Sequence, residues 1–203
     1  MNPATTALLL IGFQNDQFSA NAPLRSAIDD AERTDSVLES TLRFVSQVSE
    51  SPMTVIVPPT ELTQRFVSAT NANGILWKLR ESGALVPGTP GAEPIPELQA
   101  YGDRILTVRG KSGFNAFLNT SIERELRDRN ITDVVIAGAI TSLCVDSTAR
   151  TAYELGYNVT MLTDCVLSGT AAEHDLYCER MFPLYARAVD SRTLLGELES
   201  AAA

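Results

Sequence analysis

Short runs of apolar residues alternate along the chain with longer stretches in which apolar positions recur every three or four residues. That is the pattern of strands buried on both faces and covered by amphipathic helices. The runs predict strands over residues 7–11, 54–57, 104–108, 133–137, 158–162 and 186–189, and the helical spacing predicts helices over 30–49, 63–69, 121–129, 142–155, 171–181 and 191–199. Six strands so placed imply an α/β fold, a three-layer αβα sandwich around a six-stranded, mainly parallel sheet, with residues 1–203 forming one domain. Residues 71–96, with Pro87-Gly88-Thr89-Pro90-Gly91, show no period and are expected to be irregular and to fold over the crevice at the strand ends.

Composition adds mostly exclusions. At 203 residues, 44% hydrophobic and 20% charged, the chain can bury a substantial core. A net charge of −9 with no local Lys/Arg cluster disfavours nucleic acid as a partner. No apolar stretch approaches the roughly 18 residues of a membrane span, and residues 1–6 have neither a basic start nor an apolar signal core. A cytoplasmic protein is expected, and the apolar helix faces suggest a homo-oligomer. Cys144, Cys165 and Cys178 form an odd set without metal-finger spacing, which fits a reducing compartment better than a disulfide framework.

Among these cysteines, Cys144 stands out. The segment Ala137-Gly138-Ala139-Ile140-Thr141-Ser142-Leu143-Cys144 runs from a buried strand through a short turn into a helix. A thiol there meets unpaired backbone N–H groups and the positive end of the helix dipole, both of which favour thiolate. The plainer reading is a small buried hydrophobe, the usual role of a free cysteine. Thr141 or Ser142 is placed to cap the turn, and Val145, Ala149 and Ala152 should face the sheet. A second run, Ile105 to Val108, breaks at Gly110 and delivers Lys111, followed by Ser112-Gly113-Phe114-Asn115-Ala116-Phe117. Carboxyl ends of neighbouring parallel strands open onto one crevice, so Lys111 and Cys144 are expected to meet there.

Lysine in a K-x3-N-A-F setting, followed by a G-x-x-T-x-x-C-V-x-S-T-A-R block from Gly138 to Arg150, resembles the isochorismatase-like cysteine hydrolases. The likeness extends from the Leu8-Leu9-Leu10-Ile11 strand and Gln14-Asn15-Asp16 to Asp164, nearly the whole chain. It implies that Cys144 is a nucleophile assisted by Lys111. It also implies a cis peptide between Ala139 and Ile140, with the amides of Ile140 and Cys144 forming an oxyanion hole.

One position departs from the pattern. Family members carry aspartate directly after the first strand, in an I-D-x-Q-N-D-F pattern, and it completes a Cys-Asp-Lys triad; here Gly12 stands in its place. Asp16 matches a later aspartate, four residues and up to roughly 13 Å along an extended chain. Aspartate at position 12 is expected to restore a proton-transfer group facing Lys111 and Cys144, unless glycine serves to admit a bulkier substrate. Asp16, Glu61, Glu93 or the substrate itself are the candidate replacement bases.

The resemblance implies cleavage of a small amide or related C–N bond through a cysteine thioester. Cleavage of isochorismate proper, which depends on the aspartate, is not expected. The competing reading is a catalytically impaired pseudoenzyme acting as a small-molecule-binding or regulatory protein, and a substitution made to trap a complex would leave the same glycine. Phe13, Phe18, Trp77 and Phe114 are candidate substrate contacts, although phenylalanines are usually core and Trp77 reads more simply as a loop anchor. His174, the sole histidine, lies between Glu173 and Asp175 and reads as a solvated helix face. Nicotinamidase-like relatives carry a histidine-rich metal site after the second strand, where this chain has Pro58-Pro59-Thr60-Glu61-Leu62; no metal and no cofactor are expected.

Overall fold

The protein is described by a computed structural model covering residues 1–25, 31–63 and 74–202. Within them lie six strands: β1 (Thr6–Ile11), β2 (Thr54–Val57), β3 (Ile105–Thr107), β4 (Asp133–Ala139), β5 (Asn158–Leu167) and β6 (Arg187–Val189). They form one sheet in the order β3-β2-β1-β4-β5-β6, and every pairing is parallel. Helices alternate with them: α1 (Asn15–Phe18), α2 (Ala31–Val48), α3 (Ile75–Glu81), α4 (Pro96–Gln99), α5 (Ile122–Asp128), α6 (Asp146–Glu154), α7 (Ala171–Leu176) and α8 (Ser191–Ala202).

The period of two along each strand splits the core into two layers. Leu8, Leu10, Val55, Val57, Val135 and Ala137 pack with Val37, Phe44 and Val45 of α2 and Leu194 and Leu198 of α8. Ala7, Leu9, Ile11, Ile56, Val134 and Ile136 pack instead with Ile122 and Leu126 of α5 and with Val145, Ala149 and Ala152 at α6. Every position of β1 is buried, which is why Ala7 to Ile11 read as an unbroken apolar run. Each buried leucine, isoleucine or valine among them contributes roughly 1.5–3 kcal/mol, so the central strands anchor the fold.

Where elements differ from the expected ones, a local cause is visible. β5 continues five residues past 162, through Asp164, because that carboxylate is consumed by Ser191, accepting from its N at 2.8 Å and its Oγ at 2.6 Å. The segment 74–96 is not wholly irregular: α3 forms there, and Leu76 and Leu79 dock on Leu62 and Leu85. Helical structure at 171–181 changes to a π turn over Tyr177–Met181. The helix expected over 63–69 falls, from residue 64 onward, outside the described residues. No described helix is long and apolar enough to cross a membrane.

β1 lies between β2 and β4, where the strand order reverses: the chain runs outward from β1 through β2 to β3, then returns to β4 on the other side, and a crevice opens at the carboxyl ends of β1 and β4. Gly138 permits the close approach of these two strands. Its φ is +136°, and a Cβ there would lie 1.9 Å from the carbonyl oxygen of Ile11.

Candidate active site

Each strand at the crevice delivers one part of a connected group. β3 is followed by Gly110 and Lys111, β2 by Thr60, β1 by Gly12 and Gln14, and β4 by the turn carrying Cys144. Lys111 is fully buried. Its ammonium donates to Thr60 Oγ1 at 2.6 Å, to the carbonyl of Gly113 at 2.7 Å and to Cys144 Sγ at 3.4 Å. Those three partners account for the three N–H donors, and none is a carboxylate. Desolvating a cation without a counter-charge is costly, so the chemistry of Sγ bears directly on how this lysine is tolerated.

The lysine is held from two directions. Gln14, fully buried, donates through Nε2 to the carbonyls of Thr60 (2.9 Å) and Ala92 (2.7 Å) and accepts at Oε1 from Thr60 N (2.7 Å), fixing the threonine that receives Lys111. On the far side, Asn115 Nδ2 donates to Thr151 Oγ1 at 2.7 Å and Ala116 N to Thr148 Oγ1 at 3.1 Å. These bonds tie the lysine loop to α6 and so set its distance from Cys144.

Cys144 is half-buried, in a π turn over Thr141–Val145 that precedes α6. The Ala139–Ile140 peptide bond is cis, as the resemblance implies. The expected hydroxyl cap is absent. Ile140 occupies the cap position, no side chain caps the turn, and Thr141 Oγ1 is buried without a partner; the carbonyl of Ile140 instead accepts from Leu143 N and Val145 N. Cys144, Ile140 and Phe114 border a cavity of about 290 Å³ whose other walls are largely aliphatic, including Leu76 and Leu79 of α3.

Other expected contacts lie elsewhere. Phe13 and Phe18 stack on each other at 4.6 Å in the core, and neither borders the cavity; both belong to the core layer that β1 shares with α2 and α8. Trp77 is half-buried on α3 but is not among the cavity's walls, which α3 supplies through Ile75, Leu76 and Leu79. His174 is not on a solvated face: it is half-buried with Nε2 3.5 Å from Cys178 Sγ, and burial lowers its pKa. Among the described residues no group of three or more His, Cys, Asp or Glu side chains is placed to hold a metal ion.

The three carboxylates considered as replacement bases have other partners. Asp16 Oδ2 accepts from Leu85 N at 2.7 Å, while Glu61 and Glu93 each pair with Arg109 at 2.6 Å. Glu93 and then Glu61 raise the Arg109 pKa. With Asn15 Nδ2 donating to the Pro90 carbonyl at 2.8 Å, residues 14–16 staple the 85–92 segment over the crevice.

Gly12 itself has no room for a side chain. Its φ is +76°, and a Cβ would lie 2.5 Å from Gln17 Oε1 and 2.8 Å from the Ala139 carbonyl oxygen. Gln17 therefore fills the space that a residue-12 side chain would enter, and its Oε1 is buried without a hydrogen-bond partner. The expectation that aspartate fits here is corrected accordingly: Gly12→Asp should destabilise the fold by about 2 kcal/mol or more, from left-handed backbone strain plus the backbone contact. Urea unfolding measures this, and an unchanged midpoint would contradict the placement. Gln17 and Glu173, both on the cavity wall, were not singled out from the sequence, since neither belongs to a motif and each reads as an ordinary polar helix residue.

Residues 6–193 match the family model for the isochorismatase domain. An uncharacterized isochorismatase family protein of Escherichia coli O157:H7 is 34% identical over 88 residues, 43% of this chain and 47% of that protein, so the chain spans about half the length of that relative. The ureidoacrylate amidohydrolase of Acinetobacter baylyi is 29% identical over 185 residues, covering 85% of this chain and 75% of the relative. In fold, a cysteine hydrolase from Pseudomonas syringae pv. phaseolicola 1448A superposes with a TM-score of 0.83 at 18% identity, covering 99% of this chain and 95% of the other.

Proposed function

The chain belongs to the isochorismatase family, and from that premise we propose that it is a cysteine hydrolase of a small amide or related C–N bond, with Cys144 as nucleophile and Lys111 as its cationic partner. The observation that carries the proposal is the buried Lys111 ammonium 3.4 Å from Cys144 Sγ with no carboxylate among its hydrogen-bond partners. A thiolate is the counter-ion that balances it.

In this reading Sγ attacks the amide carbon, forming an S–C bond and an oxyanion that faces the turn at Ile140 and Cys144. The C–N bond then breaks, the leaving nitrogen takes a proton from Lys111, and an acyl thioester remains. Water adds to the thioester carbon and returns its proton to Lys111, and the S–C bond breaks to release the carboxylic acid. Gly12 supplies no acid, so general acid–base help, typically worth 10²–10⁴-fold, is reduced to what the lysine provides. Gln17→Glu, which sets a carboxyl in the space beside Gly12 without straining the backbone, is the variant that should recover part of that range.

A panel of small carboxamides and ureido compounds, assayed in excess EDTA, tests the proposal. Ammonia or amine release that persists under chelation is expected. Release that disappears with EDTA and returns with zinc would overturn the metal-free mechanism. The lack of a carboxylate among the hydrogen-bond partners of Lys111 also favours a second reading, a binding protein with the same cavity; tight binding of a panel compound without release would support it over the enzyme.

A further inference from the structure

We propose that Glu173 is a specificity residue and that the cavity selects a small amide bearing a cationic, N–H-rich end; the proposal rests on the hydrolase reading of the same cavity. Glu173 is the one carboxylate on the cavity wall among the described residues. Its Oε2 accepts from Gly169 N at 2.9 Å, while Thr170 caps the same helix by accepting from Glu173 N at 3.2 Å. Half of the carboxylate thus completes a helix-start motif. The other half does not: Oε1 is buried and has no partner.

A buried carboxylate oxygen left unpaired is costly, and a helix-start role needs only one oxygen, so the second is explained by a ligand that donates to it. The remaining walls fix the kind of ligand. Leu24, Ile75, Leu76, Leu79 and Leu85 offer aliphatic surface without donors, Thr60 Oγ1 already accepts from Lys111, Ser142 adds one hydroxyl able to donate or accept, and Gln17 Oε1, the other buried unpartnered oxygen on the wall, is an acceptor. Two unpartnered acceptors on the wall of a cavity of about 290 Å³ describe a small ligand with N–H groups at two places. The carboxamide N–H donates to Gln17, a short aliphatic body lies on the leucines, and an ammonium or amidinium donates to Glu173. A charge-assisted hydrogen bond of this kind is about twice as strong as a neutral one, which makes Glu173 the source of discrimination.

The test compares 4-aminobutanamide with its neutral isostere pentanamide, measuring affinity by calorimetry and ammonia release separately. The wild-type protein is expected to bind the cationic amide at least tenfold more tightly. In Glu173→Gln, which keeps an oxygen for Gly169 N, the ratio should fall to about one, whereas a purely structural role would lower the melting temperature and leave the ratio intact. Equal affinities in the wild type, binding of neither amide, or a preference that survives Glu173→Gln would overturn the proposal. Selective binding without ammonia release would keep this proposal and refute the hydrolase reading instead.

Discussion

Cys144→Ala is expected to lose stability as well as turnover. The loss of turnover follows from removing the nucleophile and should reach about 10⁴-fold or more. The loss of stability is the sharper consequence. Lys111 is fully buried, and the alanine variant leaves its ammonium with only the neutral oxygens of Thr60 and Gly113. Breaking a buried pair by deleting one partner typically costs about 3–5 kcal/mol, which for a chain of this length lowers Tm by roughly 6–20 °C. The usual expectation for trimming a half-buried cysteine is a much smaller change. An unaltered or raised Tm would mean that Lys111 and Cys144 do not balance each other's charge.

Lys111→Met should behave in the opposite way. The charge disappears together with its need for a counter-ion, and the methionine stem occupies much the same volume. Thr60 Oγ1 and the Gly113 carbonyl lose a donor, at about 1–3 kcal/mol for a buried group left unmatched, and relief of the desolvated charge offsets much of this. Stability is therefore expected to change less than in Cys144→Ala, while turnover falls by about 10²–10⁴-fold through loss of the group that steadies the thiolate and carries the leaving-group proton. Unfolding midpoints and initial rates for the two variants, measured side by side, check the pair of predictions. Equal stability losses would contradict the charge-balance account.

The sheet was legible in the sequence because its strands are buried on both faces, so Leu8-Leu9-Leu10-Ile11 and Val134 to Ala137 read as unbroken apolar runs. The juxtaposition of Lys111 with Cys144 was legible as well, since parallel strand order sends both loops to one edge. Residues whose roles depend on chain reversal were not. Phe13 follows β1 directly and looks like a cavity residue, yet the turn at Gly12 folds it onto Phe18 in the core. α3 is too short to show a period, and its helicity comes from Leu76 and Leu79 packing on Leu85. Asp16 looked like a spare acid, but its carboxylate is taken by the amide of Leu85, 69 positions away in the chain. Gln17 and Glu173 gained meaning only when a cavity placed two unpartnered oxygens on one wall.

The central claim, that Cys144 is a reactive nucleophile beside Lys111, is tested most directly by brief alkylation with iodoacetamide at pH 8 followed by mass-spectrometric mapping. Burial, with Asp164 beside it, pushes the Cys165 thiol up to about 12, and burial pushes Cys178 up to about 11. Their thiolate fractions at that pH are then about one part in 10³ or less, so both should react slowly. Cys144 is expected to be labelled first, and Lys111→Met to slow this labelling at least about tenfold. Equal labelling of the three cysteines in the folded protein, or labelling of Cys144 that is indifferent to Lys111, would contradict the claim.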